Sequence, residues 1–142
     1  MQNEITYRND VQPDTATIID LYRAAALNRP LDQPERIARM YDAANQVLTA
    51  WDGERLVGIV RVWNDGGFLA YIADLAVHPD YQGHGIGREL LRRVTSADPE
   101  IIYLLHAAPT AMEFYRHTGW RAMSNAWVWP RERRAAETRG EG

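Results

Sequence analysis

A chain of 142 residues has room for one domain, and 46% apolar with 25% charged residues is typical of a globular protein. All sixteen basic residues are arginines, which excludes a phosphate-loop lysine, a Schiff-base lysine and lysine self-modification. The net charge of −3 gives no overall attraction to nucleic acid, so we expect no nucleic-acid partner. The lack of cysteine excludes disulfides and is compatible with a reducing cytoplasm.

The sequence predicts neither a targeting segment nor a membrane-spanning run. Its amino end has no basic segment followed by an apolar one, so we expect no secretory signal and a cytoplasmic protein. No apolar run approaches the roughly 18 residues that cross a bilayer, and we expect no membrane partner. Residues 1–130 are expected to form a single domain. The arginine- and glutamate-rich residues 131–142 lack apolar anchors and predict a disordered tail.

The first third of the sequence predicts a strand and two helices. Glu4 to Arg8 favours a strand, and Asp14 is placed to cap a helix. Asp32 and Glu35 have the spacing of a capping box, which predicts the start of a second helix. Apolar residues at helical spacing predict one buried face on each helix: Ile18, Leu21, Tyr22 and Ala25 on the first, and Ile37, Met40, Tyr41 and Ala44 on the second.

The middle of the chain predicts a three-stranded antiparallel meander. Gln46 to Trp51 and Arg55 to Asn64 are rich in β-branched and aromatic residues and flank the tight-turn pair Asp52-Gly53. A second turn at residues 65–67 leads into a strand from Phe68 to His78.

The last third predicts two helices and two strands in alternation. A helix begins at Gly85 or Ile86 and runs to about Ser96, and Ile101 to His106 favours a strand. Thr110 and Glu113 resemble another capping box, and Trp120 to Trp129 predicts the last strand. The order β-α-α-β-β-β-α-β-α-β predicts an α+β fold, with a mixed, mostly antiparallel central sheet flanked by helices in three layers.

The most informative segment is glycine-rich and lies between a predicted strand and a predicted amphipathic helix. Its three alternating glycines let backbone N–H groups converge on a ligand, and the helix start adds free donors that suit a pyrophosphate. The alternative is a glycine-rich corner with no ligand. The spacing does not fit a dinucleotide-binding fingerprint, and the lack of lysine excludes a phosphate loop. The segment reads Gln82-Gly83-His84-Gly85-Ile86-Gly87-Arg88.

This segment resembles the central motif of the GNAT superfamily of N-acetyltransferases, Gln/Arg-x-x-Gly-x-Gly/Ala, at every specified position. Residues 74–79, Asp-Leu-Ala-Val-His-Pro, look like the family's splayed fourth strand. Residues 114–120 look like its Phe-Tyr-x-x-x-Gly-aromatic segment, and the resemblance runs from the first strand to about Trp129. One departure is Ala108, which stands where many relatives have an asparagine.

The resemblance implies a GNAT-like fold and acetyl transfer from acetyl-CoA to a primary amine of a small molecule, a peptide or a protein. It implies that the glycine segment and the fourth strand hold acetyl-CoA, and that a backbone N–H of the strand stabilises the reacting oxyanion. It also places the hydroxyl of Tyr115 near the coenzyme sulfur, as a general acid. The implied coenzyme-binding residues are Leu75, Ala76, Val77, Gln82, Gly83, His84, Gly85, Ile86, Gly87 and Arg88.

Each candidate side chain also has a simpler interpretation. Tyr115 could pack its ring in a core and bond its hydroxyl to the backbone. Asp74 is a candidate general base, because burial in an apolar strand raises a carboxyl pKa, but it could equally pair with an arginine. His78, His106 or a chain of waters compete for the same role. Arg88, Arg92 and Arg93 could meet coenzyme phosphates, although Glu89 is spaced to pair with Arg93 instead.

Three further expectations concern metal binding, the tryptophans and catalysis. Four histidines without cysteine and without close spacing on one helix predict no metal site. The tryptophans lie mostly in predicted strands, where packing in a core or in a homodimer interface is the favoured role. A non-catalytic domain that binds or senses acyl-CoA is the alternative to an enzyme.

Overall fold

The computed structural model of the protein describes residues 4–132, and its contacts divide the chain into two units, Met1–Leu105 and His106–Gly142. Residues 131 and 132 have no regular secondary structure. The rest of the predicted disordered tail, residues 133–142, lies outside the described residues.

The first unit is built on a five-stranded sheet whose spatial order follows the order of the chain. Neighbours among the first four strands pair antiparallel, and the fifth strand pairs parallel to the fourth. The predicted mixed, mostly antiparallel sheet is therefore confirmed. The strands are β1 (Ile5–Arg8), β2 (Gln46–Asp52), β3 (Arg55–Asn64), β4 (Leu69–Val77) and β5 (Ile102–Leu105).

Four α-helices occur in the described residues: α1 (Thr15–Ala24), α2 (Pro34–Ala43) and α3 (Ile86–Thr95) in the first unit, and α4 (Met112–His117) in the second. The predicted cap of α1 is confirmed, because the Asp14 carboxylate accepts a hydrogen bond from Thr17 N–H at 2.8 Å. No helix in residues 4–132 is long and apolar enough to cross a membrane.

Both predicted capping boxes are wrong. α2 begins at Pro34, whose fixed φ suits the first helical position, so the cap is Gln33 and Asp32 lies one residue too early. In the second unit a 3₁₀ turn, Pro109–Ala111, precedes α4, so the cap is Ala111 rather than Thr110. In each case a proline set the start of the helical turn.

Helices cover both faces of the sheet in the first unit, as the three-layer prediction required. Ile59 and Ala76 belong to the apolar cluster that buries α1 and α2. On the other face, α3 packs its buried residues against β2, β3 and β4. The predicted stripe of α3, which comprises Ile86, Leu90, Leu91 and Val94, is confirmed residue by residue.

Gly58 is the point of closest approach between β3 and α3. A Cβ atom at this position would lie 3.1 Å from Ile86 Cγ2, 3.2 Å from Leu90 Cδ1 and 3.3 Å from Ala50 Cβ. We expect Gly58→Ala to lower the free energy of unfolding by about 1–3 kcal/mol, because overpacking forces the first turn of α3 away from the sheet. Urea denaturation measures this change. Gly67→Ala is the matched control, since a Cβ there meets nothing within 4 Å, and equal stability of the two variants would contradict the prediction.

The predicted last strand, Trp120 to Trp129, is wrong. These residues have no regular secondary structure, and Trp127 and Trp129 are 95% and 93% exposed. The aromatic and β-branched side chains of this segment favour a strand locally, but a strand also needs a neighbour for its backbone hydrogen bonds. The sheet of the described residues consists of β1 to β5 alone.

Candidate active site

The end of β4 has an open edge. β5 pairs with β4 only from Leu69 to Ile72, so the following residues of β4 have no neighbour on that side in the described part of the sheet. Backbone N–H groups alternate in direction along a strand, and His78 N–H donates to Val57 O on β3 at 2.8 Å. The N–H groups of Leu75 and Val77 therefore point to the open edge, where each could donate to an acceptor of a ligand.

A short turn joins this edge to α3. Gln82 donates from its side-chain amide to Val77 O at 3.0 Å, which ties the turn to the last residue of β4. Gly83 and Gly85 both have a φ of 82°, a conformation that residues with a Cβ rarely adopt. The ring of His84 lies with Nδ1 3.1 Å from Tyr81 O. Because a carbonyl only accepts, the His84 ring donates within the turn and leaves the backbone N–H of His84 free.

The glycine segment presents a continuous row of hydrogen-bond donors. No backbone N–H from Gly83 to Arg88 has an acceptor among residues 4–132, since the first bond of α3 runs from Glu89 N–H to Gly85 O at 3.0 Å. Six adjacent donors at the positive end of a ten-residue helix form a cradle for an anion such as a pyrophosphate.

The arginines of α3 divide into two groups. Glu89 pairs with Arg92 at 2.6 Å and with Arg93 at 2.7 Å. Hydrogen bonds from Arg92 and Arg93 lower the pKa of Glu89 to about 2. Arg88 is exposed in the first turn and has no ion pair within the described residues. The alternative of a solvated, internally paired face therefore fits Arg92 and Arg93, and Arg88 is left available to a phosphate.

Asp74 lies at the centre of a buried network on the face that α1 and α2 cover. Asp74 as a whole is 2% exposed. Its carboxylate accepts from Arg29 Nε, Arg61 Nε and Tyr22 Oη, each at 2.7 Å. Tyr41 Oη lies 2.5 Å from Tyr22 Oη and extends the chain of hydroxyls. Because the Tyr22 hydroxyl donates its hydrogen bond to the carboxylate, it accepts the hydrogen bond that the Tyr41 hydroxyl donates.

The expectation that burial raises the pKa of Asp74 is wrong. Burial alone would raise it, but the hydrogen bond from Arg61 and the charges of Arg29 and Arg61 outweigh that effect and lower the pKa. A carboxylate held below its ordinary pKa between two guanidinium groups is a poor proton acceptor. The geometry therefore favours the alternative that the sequence left open, a carboxylate that pairs with arginine.

The other candidates for a base differ in their surroundings. His78 Nδ1 accepts from Asp80 N–H at 3.1 Å, and its Nε2 lies 3.1 Å from Arg55 Nη2, so protein groups contact both ring nitrogens. His106, in the second unit, is exposed. Residues 4–132 contain no cluster of three histidine, aspartate or glutamate side chains placed to bind a metal ion.

Tyr115 lies in α4 of the second unit. Its ring makes edge contacts with Phe114 and Trp120, at centroid distances of 5.0 and 6.0 Å. Burial raises the pKa of Tyr115, which keeps the phenol protonated at neutral pH. Its hydroxyl makes no hydrogen bond within residues 4–132. The alternative interpretation, a hydrogen bond from this hydroxyl to the backbone, is therefore not observed among those residues. A protonated hydroxyl without a protein partner is suited to donate to a ligand.

Four partners of Asp74 were not predicted from the sequence: Arg29, Arg61, Tyr22 and Tyr41. One signal was present in the sequence, because Arg61 interrupts an otherwise apolar run from Leu56 to Trp63, as Asp74 does in β4. Two opposite charges in neighbouring buried strands favour pairing with each other. Arg29 and the tyrosines gave no such signal, since they come from α1, α2 and the loop between these helices.

Comparison with known proteins agrees with this arrangement. A family model described as an acetyltransferase (GNAT) domain matches residues 21–128. The chain therefore belongs to the GNAT acetyltransferase family.

Relatives in other organisms include the uncharacterized N-acetyltransferase ycf52 of Porphyra purpurea, 41% identical over 69 residues, which cover 46% of this chain and 39% of that protein. A ycf52-like protein of Prochlorococcus marinus is 40% identical over 93 residues, which cover 60% of this chain and 51% of the relative. The chain thus spans about half or less of the length of these relatives.

Solved structures show the same fold. A GNAT family acetyltransferase of Streptococcus pneumoniae superposes with a TM-score of 0.74 at 23% identity, covering 91% of this chain and 99% of that one. A Trypanosoma brucei acetyltransferase superposes with a TM-score of 0.64 at 20% identity, covering 89% and 99%. The predicted GNAT-like α+β fold is therefore confirmed.

Proposed function

We propose that the protein is an N-acetyltransferase that moves an acetyl group from acetyl-CoA to a primary amine of a small molecule or peptide. The observation that carries the proposal is the row of six unpaired backbone N–H groups from Gly83 to Arg88, directly after the open edge of β4. An anion cradle beside free strand donors fits a ligand with a pyrophosphate at one end and a thioester carbonyl at the other.

Each part of the first unit has a separate task in this proposal. The glycine segment binds the pyrophosphate through backbone donors, and Arg88 adds a positive charge at the helix start. The N–H of Leu75 donates to the carbonyl oxygen of the thioester, where negative charge develops during the reaction. The N–H of Val77 lies about 6.6 Å further along the same edge and is available to another acceptor of the coenzyme. The coenzyme, when bound, supplies the activated acetyl group. Ala76, between these donors, is 2% exposed and anchors the strand in the core.

Tyr115 is proposed as the general acid that gives a proton to the leaving sulfur. Family resemblance assigns this role, and its protonated, unpartnered hydroxyl supports it. The low pKa of Asp74 leaves a water chain or a histidine as the better-supported route for the proton that leaves the amine. A homodimer and a cytoplasmic location stay predictions of the sequence.

A thermal-shift titration with acetyl-CoA tests the proposal directly. At a hundred times the dissociation constant, binding adds about 2.7 kcal/mol to the stability of the folded protein. We expect a selective rise in the melting temperature with acetyl-CoA and none with ATP or NAD. Arg88→Gln should shift the titration to higher coenzyme concentration, whereas Arg23→Gln, on the surface of α1, should not. No rise at millimolar acetyl-CoA would overturn the proposal and leave the glycine segment as a structural corner.

A non-catalytic domain that binds acyl-CoA would give the same thermal shift. Release of free coenzyme A in the presence of an amine distinguishes the two, because only an enzyme forms this product.

A further inference from the structure

Arg61 is a buried charge with unused hydrogen-bond donors. Its side chain is 9% exposed, and its hydrogen bond within the described residues runs from Nε to Asp74 Oδ2. Nη1 and Nη2 therefore carry four N–H donors without an acceptor in residues 4–132. Among those residues, Tyr103 Oη is the only side-chain polar atom that is sealed from solvent and unbonded. The terminal nitrogens of Arg61 therefore keep some contact with solvent, although the side chain as a whole is buried.

The network around Arg61 has an unbalanced positive charge. Two guanidinium groups, Arg29 and Arg61, share one carboxylate, that of Asp74. Tyr22 and Tyr41 add no negative charge, because burial raises the pKa of both phenols above the ordinary value of 10.0. The remaining charge is therefore +1. Buried charges in proteins are generally paired, so an excess charge with free donors is suited to an anionic partner.

Arg29 is the second guanidinium group bound to the Asp74 carboxylate. It bonds Asp74 Oδ1 through Nε, Asn28 O through Nη1 at 2.6 Å and Ala73 O through Nη2 at 3.0 Å. These bonds fix its guanidinium plane, and its side chain remains 26% exposed. Two guanidinium groups held on one carboxylate form a rigid pair that loses little entropy when it binds a ligand.

We propose that the Arg29–Arg61 pair binds a carboxylate of the acceptor, so that the substrate is an amino acid or a peptide with a carboxylate close to the reacting amine. A guanidinium fork matches a planar carboxylate, and the single unbalanced charge matches one negative charge better than a phosphate dianion. This inference rests on the proposed acetyl transfer.

The position of the pair fits this choice of acceptor. Asp74 directly precedes Leu75, whose N–H is proposed to hold the thioester carbonyl, and a strand advances about 3.3 Å per residue. The Asp74 side chain points to the face that α1 and α2 cover and the Leu75 N–H points to the open edge, so an acceptor bound to the pair would extend around this edge of β4 to bring its amine to the thioester. The same excess positive charge would repel polyamines and other polycationic acceptors.

Binding of N-acetyl amino acids tests the inference without any catalytic step. N-acetylglycine, N-acetylleucine and N-acetylglutamate carry the carboxylate, and the amides of the same compounds serve as uncharged controls. We expect each acid to bind at least tenfold more tightly than its amide in titrations followed by NMR. Arg61→Lys keeps the charge but loses the fork, and should weaken binding of the acids by fivefold or more. Arg23→Lys is the matched surface control and should leave binding unchanged.

The outcomes separate this inference from the proposed function. Equal binding of acids and amides, binding of neither, or preferential binding of inorganic phosphate would each overturn the carboxylate site, even if acetyl-CoA binds. Arg29→Lys provides a second variant at a more exposed position if Arg61→Lys melts at a lower temperature. Failure to bind acetyl-CoA would instead overturn the proposed function, while the preference for acids could still be measured.

Discussion

Replacing Tyr115 with phenylalanine is expected to lower kcat by about a hundredfold or more while acetyl-CoA affinity stays within about twofold, because general acid catalysis contributes factors of this size. The substitution removes one oxygen and keeps the ring that contacts Phe114 and Trp120. Stability should therefore change little. Steady-state release of coenzyme A, measured beside a coenzyme titration of the same variant, separates the catalytic effect from a binding effect.

Tyr7→Phe is the matched control for this experiment. Tyr7 lies in β1, at the opposite edge of the sheet from β5, and its loss of a hydroxyl should leave kcat unchanged. If Tyr115→Phe kept kcat within twofold of the natural protein, its hydroxyl would have no part in proton transfer. The tyrosine would then be a packing residue of the second unit.

Asp74→Asn is expected to lower the free energy of unfolding by about 3–5 kcal/mol, the usual cost of removing one partner from a buried ion pair. The asparagine would leave Arg29 and Arg61 with no negative charge, in a position where the aspartate side chain has no exposure. Urea denaturation checks the magnitude. Asp20→Asn, whose exposed carboxylate lies 3.7 Å from Arg23, should change stability by less than about 0.5 kcal/mol.

The pH dependence of stability provides an independent test of the same network. The folded-state pKa of Asp74 is lowered, so its contribution is complete above the unfolded pKa of about 3.9 and is lost as the pH falls through the folded value. The difference in stability between the natural protein and Asp74→Asn should therefore be constant from pH 7 to about 5 and shrink below pH 4. A variant with full stability but no turnover would instead restore Asp74 as a candidate base.

The local pattern of the sequence predicted most of the fold. The buried stripe of α3 repeats at i, i+4, i+5 and i+8, which one face of a helix requires, and tight turns at Asp52 and Asp65 fixed the meander. The prediction failed where the outcome depends on a partner distant in sequence. Trp120 to Trp129 has the composition of a strand, but only pairing with a neighbour makes a strand. The two wrong caps have a local cause instead, because a proline beside each predicted cap sets the start of the helical turn.

The site was predicted unevenly for the same reason. A row of backbone donors follows from alternating glycines and a helix start, both of which are visible in one short segment. The pKa of Asp74 depends instead on Arg29 and Arg61, which lie 45 and 13 residues away along the chain. Composition places a carboxylate in an apolar strand, but the groups that reach it, and hence the direction of its pKa shift, follow from the packing of α1 and α2 on the sheet.

One residue of β4 has no partner on β3. Arg61 and Val62 are consecutive on β3 and face opposite sides of the sheet, yet they pair with Asp74 and Ile72, which are two residues apart. Ala73 is the extra residue of this bulge, and its carbonyl accepts from Arg29 Nη2 at 3.0 Å. Without Ala73, Asp74 would follow Ile72 directly and would still pair with Arg61, as in a regular antiparallel ladder. A loss of three nucleotides from the coding sequence there would therefore keep the pairing of Asp74 with Arg61 and remove the local bend that a bulge gives a strand.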